Sequence, residues 1–398
     1  MSTTTAADAG NANELALVLS GGGARAAYQA GCVRALARSF PDLAPRILTG
    51  VSAGAINAGL LASRHGTLEA KAAELAELWR TLEPSRVFRV GTLSLAGNVL
   101  RTGLKLVSGG AITAPRTHAL VDTTPLREFL VERLGLEGDD SRTGGTGRIR
   151  GIARNVAEGQ LRAVAITTSS YSTGQSITWV EGRDVESWER AHRRSELGAL
   201  TVDHVMASAS LPLFFPAVRI GPNWYGDGGI RLTAPLSPAV HLGARKILAI
   251  STRYARSRAE ADRSVIEDYP PPAQIAGVLF NAIFLDLFDA DALTLDRVNR
   301  MIDRVPVEAR GSLRKVDLLV LRPSRDLGKL ANEYEARLPG AFRFLTRGLG
   351  TRETKSNDFL SLVMFQSDYL SRLVEIGESD TEARRGDIER FLASSPAP

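Results

Sequence analysis

Gly50-Val51-Ser52-Ala53-Gly54 places a serine between two glycines, where a short apolar strand gives way to an Ala-rich helix. A hydroxyl held at such a turn can serve as a nucleophile. The flanking glycines let the backbone bend sharply enough to push the side chain outward. The helix starting there also aims N–H groups and its positive dipole end at the same spot. Alone, the pattern also fits a tight turn with a capping serine. A second run, Gly21-Gly22-Gly23-Ala24-Arg25, follows another apolar strand, Leu15–Leu19. Bare glycine amides can donate hydrogen bonds where the oxyanion of an acyl transfer forms. The competing reading is a dinucleotide fingerprint, since Gly21, Gly23 and Ala26 fit G-x-G-x-x-A. That fingerprint wants an acidic residue ending the second strand, whereas Asp42 precedes that strand and lies among prolines. The third element is Asp227-Gly228-Gly229, a carboxylate that can approach another loop closely. On its own, Asp-Gly is an ordinary turn dipeptide.

Taken together, the three elements predict acyl transfer, with Ser52 as nucleophile and Asp227 taking part in the catalysis. A carboxylate is a poorer base than imidazole at neutral pH, so its pKa must be tuned by its surroundings. His241 follows Asp227 in the chain and leaves the order Ser…Asp…His formally available. Its setting, Pro238 to Gly243 just ahead of a strand, suits a surface or capping role better.

Four motifs in this order resemble the patatin-like phospholipase family. They are Gly21-Gly22-Gly23-Ala24-Arg25, Gly50-Val51-Ser52-Ala53-Gly54, the stretch Ala207-Ser208-Ala209-Ser210-Leu211-Pro212-Leu213-Phe214-Phe215-Pro216, and Asp227-Gly228-Gly229. The similarity runs from about Leu15 to Ser251. It implies a Ser–Asp dyad in place of a triad, with Asp227 accepting the Ser52 proton directly or through water. It implies an oxyanion hole made by Gly21, Gly22 and Gly23 with Arg25 beside it, and no metal or other cofactor. The implied substrates are acyl esters of glycerolipids, phospholipid or lysophospholipid with a long acyl chain. Two departures, Ser20 where many relatives carry Asp and Ala26 where many carry Gly, bear on how the oxyanion loop is supported. A thioesterase or transacylase using the same dyad, and a non-catalytic regulatory protein on the same fold, stay open.

These residues need a scaffold, and strand–glycine turn–helix occurs twice within the first 65 residues. That repetition is the signature of a layered α/β fold. Further strands are predicted at 161–168, 176–180 and 246–251, and a helix at 202–210. With the resemblance, the expected fold is a three-layer α/β/α arrangement around a mostly parallel sheet, extended by a helical C-terminal part. The expected division is a disordered tail over 1–13, a catalytic domain over 14–252 and a mainly helical extension over 253–398, packed on the core. In that extension, helical patterns cover about 275–302 and 327–392, with a possible strand at 316–321. Leu279, Phe280, Phe284, Leu287 and Phe288 are expected to face the core rather than a substrate channel. The stretch from Met206 to Phe215 suits core packing and an acyl-chain wall alike. The insertion from Val87 to Ala111, with Arg89, Arg101 and Lys105 among apolar residues, reads as a surface excursion, or as a lid touching membrane.

Composition narrows the partners. The chain has 398 residues, 44% hydrophobic and 23% charged, which is ordinary for a globular protein. A formal net charge of +5, from 49 basic against 44 acidic residues, is too balanced to argue for nucleic acid. One cysteine, Cys32, allows no intrachain disulfide and no Cys-based metal site, and reads as a small buried residue. The first 13 residues lack a basic start followed by an apolar run. No stretch approaches the roughly 18 apolar residues of a membrane span. The expected compartment is therefore the cytoplasm, with peripheral contact at the inner membrane surface left open and the oligomeric state unset.

Overall fold

Strands β1 (Leu15–Leu19) and β2 (Ile47–Val51) lie side by side and parallel, as two successive strand–turn–helix units require. The structure is a computed structural model and describes residues 14–89, 119–137, 147–262, 269–284, 286–311, 313–338, 340–348, 350–351, 354 and 356–394. The expected N-terminal tail, most of the insertion from Val87 to Ala111, the loop between Glu137 and Gly147 and the last residues lie outside these. The remaining strands, in chain order, are β3 (Leu136–Glu137), β4 (Arg148–Ile149), β5 (Ala163–Ser170), β6 (Ser176–Gly182), β7 (Glu189–Arg190), β8 (Arg193–Leu197), β9 (Val218–Ile220), β10 (Asn223–Asp227), β11 (Lys246–Ile250) and β12 (Asp317–Leu321). β3 and β4 form a small separate ribbon.

Half of the main sheet, in the order β12-β11-β1-β2-β5, is parallel throughout. Beyond β5 it becomes mixed: β6 runs antiparallel to β5, and β8 parallel to β6. Side chains along the parallel strands alternate between two buried clusters. Leu15, Leu17 and Leu19 of β1 face one, and Ala16 and Val18 face the other. Leu248 and Ile250 of β11 likewise oppose Ile247 and Ala249. Continuous apolar strands are therefore buried on both faces, which is the three-layer α/β/α arrangement. Helices Ala26–Ser39 and Ala53–Ser63 belong to the first cluster.

The C-terminal residues are integral to this body. β12 pairs in register with β11, Leu319 opposite Leu248, and so extends the sheet. Helix Ser367–Ala383 packs along helix Ala26–Ser39, where Arg34 meets Glu378 at 2.8 Å. Both described parts of the stretch predicted as helical from 275 to 302, Pro272–Phe284 and Asp286–Ile302, are helices. The apolar spacing of Ile149, Ile152 and Val156 suggests one helical face, yet Ile149 belongs to β4 and the helix begins only at Ile152. The left-handed Gly151 between them breaks the periodicity that had linked them.

Candidate active site

β5 decides where the chemistry can occur. One of its edges is taken by β6 from Ala163 to Ser169. β2 and β10 must therefore share the other edge, β2 along Ala163 to Thr167 and β10 along Thr168 to Ser170. The two run in opposite directions, so their C-terminal ends meet. Val51 sits opposite Thr167 and Asp227 opposite Thr168, one step along the same strand. The residue after Val51 is Ser52.

Ser52 adopts φ 56°, ψ −133°, outside the regions an L-residue favours. The sequence pattern accounts for this. A Cβ on Gly50 would lie 2.4 Å from the Gly54 carbonyl oxygen, and one on Gly54 would lie 2.3 Å from that of Leu19. Only glycines let the elbow press so tightly against β1 and its own helix. The Ser52 amide donates to Ser208 Oγ at 3.0 Å, and that hydroxyl donates to the Thr167 carbonyl at 2.6 Å. Ser208, within the Ala207–Pro216 motif, thus fastens the elbow to β5. The Ser52 side chain does not cap its helix. Its Oγ donates to Asp227 Oδ2 at 2.6 Å.

Asp227 was expected in a loop, and it is instead the last residue of β10. The Asp-Gly pair suggested a turn, and a 3₁₀ turn does follow at Gly228–Ile230, but ladder pairing of Tyr225 and Gly226 with β5 extends the strand to Asp227. The carboxylate is fully buried. Its other oxygen, Oδ1, accepts from the Gly229 amide at 2.9 Å. Burial pushes its pKa up from 3.8 to about 7, while the hydrogen bonds from Ser52 and Gly229 pull the other way. A carboxylate tuned to that range is suited to exchanging protons near neutral pH.

The glycine loop lies against the serine. A Cβ on Gly21 would stand 3.1 Å from Ser52 Cβ. Among the described residues, the amides of Gly21 and Gly22 donate to no protein group. Three side chains prop the loop from behind. Thr252 Oγ1 donates to the Gly21 carbonyl at 2.7 Å, and its amide donates to Ser20 Oγ at 3.2 Å. Gln29 Nε2 donates to the Ser20 carbonyl at 2.8 Å, and Asn57 in turn donates to Gln29 Oε1 at 2.9 Å. Arg25, buried at the loop's end, directs its guanidinium to Ser361 and Asp358, and its amide donates to Gly22 O. Gly23 therefore touches the C-terminal part too: its position carries φ +55° and faces the Leu362 carbonyl.

An apolar pocket, partly open to solvent, opens on Ser52, Gly22 and Gly23. Its walls are apolar. Ile56, Trp79, Phe129 and Phe215 come from the N-terminal two thirds, and Phe284, Leu362 and Phe365 from beyond residue 253. Of the residues expected to face the core, Phe284 and Phe288 are buried, Leu279 is instead exposed, and Phe284 lines the pocket as well. Phe215 confirms that the Met206–Phe215 stretch supplies wall and core together. His241 plays no part here: its ring stacks on Trp188 at 4.9 Å. Cys32 is buried. Sequence reading missed Ser208 as a fastener, and it missed Thr252, Asp358 and Ser361. Only Ser208 lay within a motif that could have signalled it.

Among the described residues no helix is long and apolar enough to cross a membrane. A family model described as patatin-like phospholipase matches residues 17–240 of the chain. Comparison with curated proteins finds no match. Among solved structures, human GIVD cytosolic phospholipase A2 aligns over 96% of this chain and 60% of its own, with 11% identity and a TM-score of 0.44. VipD from Legionella pneumophila aligns over 92% and 67%, with 12% identity and a TM-score of 0.31. The type III effector protein ExoU aligns over 95% and 62%, with 14% identity and a TM-score of 0.34. The chain thus spans about 60% of the length of the first of these.

Proposed function

The chain belongs to the patatin-like phospholipase family, and from that premise we propose that it hydrolyses acyl esters of lipids through a covalent acyl-Ser52 intermediate. The observation that carries this reading is the 2.6 Å hydrogen bond from Ser52 Oγ to a buried Asp227 carboxylate, at the mouth of an apolar pocket. Ser52 Oγ attacks the acyl carbonyl carbon while Asp227 Oδ2 takes the hydroxyl proton. The carbonyl oxygen becomes an oxyanion, and the amides of the Gly21–Gly23 loop stabilise it. Collapse of the tetrahedral adduct breaks the ester C–O bond, and Asp227 returns the proton to the departing alcohol. Water then attacks the acyl-enzyme, again giving its proton to Asp227. The fatty acid leaves and the Ser52 hydroxyl is restored.

The acyl chain occupies the pocket walled by Ile56, Trp79, Phe129 and Phe284, since a long hydrocarbon gains by leaving water for such a surface. In this reading Arg25 does not donate to the oxyanion. Its guanidinium is engaged by Asp358 and Ser361, and its role is to hold the loop. Residues 14–252 carry the dyad, and residues 253–398 complete its pocket. In this reading the protein meets its substrate at a lipid surface.

Product mass spectrometry tests the proposal, with phospholipid, p-nitrophenyl ester and acyl-CoA offered to wild type, Ser52→Ala and Asp227→Ala. Free fatty acid from the glycerolipid is expected from wild type, with a loss of roughly a thousandfold or more in either variant. Turnover of acyl-CoA alone would make it a thioesterase. Acyl transfer to a second alcohol would make it a transacylase. Failure of a fluorophosphonate to label Ser52 would leave only a non-catalytic role.

A further inference from the structure

The helix Asp358–Val363 lies outside residues 17–240, yet it reaches the glycine loop by both backbone and side chains. Its Leu362 carbonyl lies so close to Gly23 that a Cβ there would stand 2.1 Å away. Its side chains grip the only charged residue of the loop. Arg25 Nη2 meets Asp358 Oδ1 at 2.6 Å and the Asp358 carbonyl at 3.2 Å, and Arg25 Nε donates to Ser361 Oγ at 2.7 Å. The Arg25 side chain is 4% exposed and that of Asp358 18%. A guanidinium so far from water needs its counter-charge in place, and removing one partner leaves the other stranded. Asp358 is held in turn: Oδ2 accepts from Asn281 Nδ2 at 2.7 Å and lies 3.9 Å from Arg256 Nη2. Leu362 and Val363 of the same helix line the acyl pocket beside Gly22 and Gly23.

We propose that Asp358 is a positioning residue for the oxyanion loop, acting through Arg25, so that a C-terminal helix sets the donor geometry of the active site. The inference rests on the hydrolase reading given above. Asp358 touches no reacting atom. Both of its oxygens face donors, Arg25 on one side and Asn281 on the other. An amide at this position has one acceptor oxygen, so one of those donors must meet an NH₂ group. The loop carrying Gly22 and Gly23 then loses one of its anchors, while the Ser52–Asp227 hydrogen bond is not directly touched. Displacements of this kind act on the transition state rather than on ground-state binding.

The test compares wild type with Asp358→Asn, Asp358→Glu, Ser361→Ala and Ser52→Ala. Readouts are kcat and KM on a p-nitrophenyl acyl ester, the rate of Ser52 labelling by a fluorophosphonate, and thermal unfolding. Asp358→Asn should lower kcat roughly ten- to a hundredfold with KM nearly unchanged. It should slow labelling in parallel, because phosphonylation also develops an oxyanion. Asp358→Glu, which keeps the charge, should recover part of both rates, and Ser361→Ala should show a smaller version of the same defect. The proposal is overturned if folded Asp358→Asn retains wild-type kcat and labelling. It is also overturned if its losses only follow a fall in melting temperature, or if they appear in KM alone. Should Asp358→Asn not fold, wild-type rates in folded Ser361→Ala would overturn it too. A wild-type protein that neither turns over ester nor labels at Ser52 removes the hydrolase reading itself, and this inference with it.

Discussion

Gly21 and Ser52 stand so close that a single methyl group on the glycine would come within 3.1 Å of the serine Cβ. The backbone at Gly21 has an ordinary φ, so alanine there is not conformationally strained. Gly21→Ala should therefore fold but push the nucleophile by a few tenths of an ångström. A loss of roughly tenfold or more in kcat is expected, with little change in melting temperature. Gly23→Ala contrasts with it. Its φ of +55° and the Leu362 carbonyl 2.1 Å from the new Cβ should prevent soluble expression or lower the melting temperature sharply. Equal stability of the two variants would contradict the close approach of the loop and the C-terminal helix.

Asp227 has to be ionised to accept the Ser52 proton. With its pKa raised to about 7 by burial, activity should rise with pH along a limb centred near 7. A pH–rate profile of kcat/KM measures this directly. A limb near pH 4 would mean that the carboxyl is far better solvated than its burial indicates.

The same shift has a consequence for stability. Between the ordinary 3.8 and about 7, the folded state holds a proton that the unfolded chain has lost. Stability therefore falls as pH rises through that window and is lowest above it. Asp227→Asn, which cannot ionise, should melt a few degrees above wild type at pH 8. The gap should close toward pH 4. Differential scanning calorimetry at both pH values checks the sign.

Ser52 holds its strained backbone at a cost typically of order 1–3 kcal/mol for such conformations. Glycine relieves that strain and alanine does not. Ser52→Gly should exceed Ser52→Ala in unfolding free energy by about 1 kcal/mol, although both are inactive. Urea titrations of the two variants read the difference. The reverse order would place the strain elsewhere than at the elbow.

His241 supplies the order of a triad but not its geometry. Its ring lies against Trp188, and both oxygens of Asp227 are already engaged by Ser52 and Gly229. His241→Ala should keep kcat within about twofold of wild type, since a group outside the proton path contributes nothing to that step. A loss of a hundredfold or more would reinstate a histidine in the mechanism.

Much of the scaffold was readable from the chain because apolar runs and glycine turns are local signals. Leu15–Leu19, Ile47 to Thr49 and Lys246 to Ser251 read as strands from their apolar runs. The short strands β7, β8 and β9 did not, because they form by pairing with β8, β6 and β10 respectively rather than through a pattern of their own residues. Asp227 was placed in a loop for the same reason: Gly226 and Gly228 signal a turn, and only the ladder with β5 makes the aspartate a strand end.

The chain itself determined which groups exist to react. A serine between glycines, a run of bare amides and an aspartate before two glycines are chemical facts of the order of residues, and no folding alters them. Their meeting was decided by the tertiary structure. Residues 175 positions apart come into contact because β2 and β10 converge head-on along one edge of β5, and an edge admits one neighbour at each point. The anchoring of Arg25 by Asp358 and the pocket walls at Phe284 and Leu362 were decided in the same way. Buried charges and apolar surfaces take whatever partners the completed core brings within reach, and no spacing along the sequence encodes that choice.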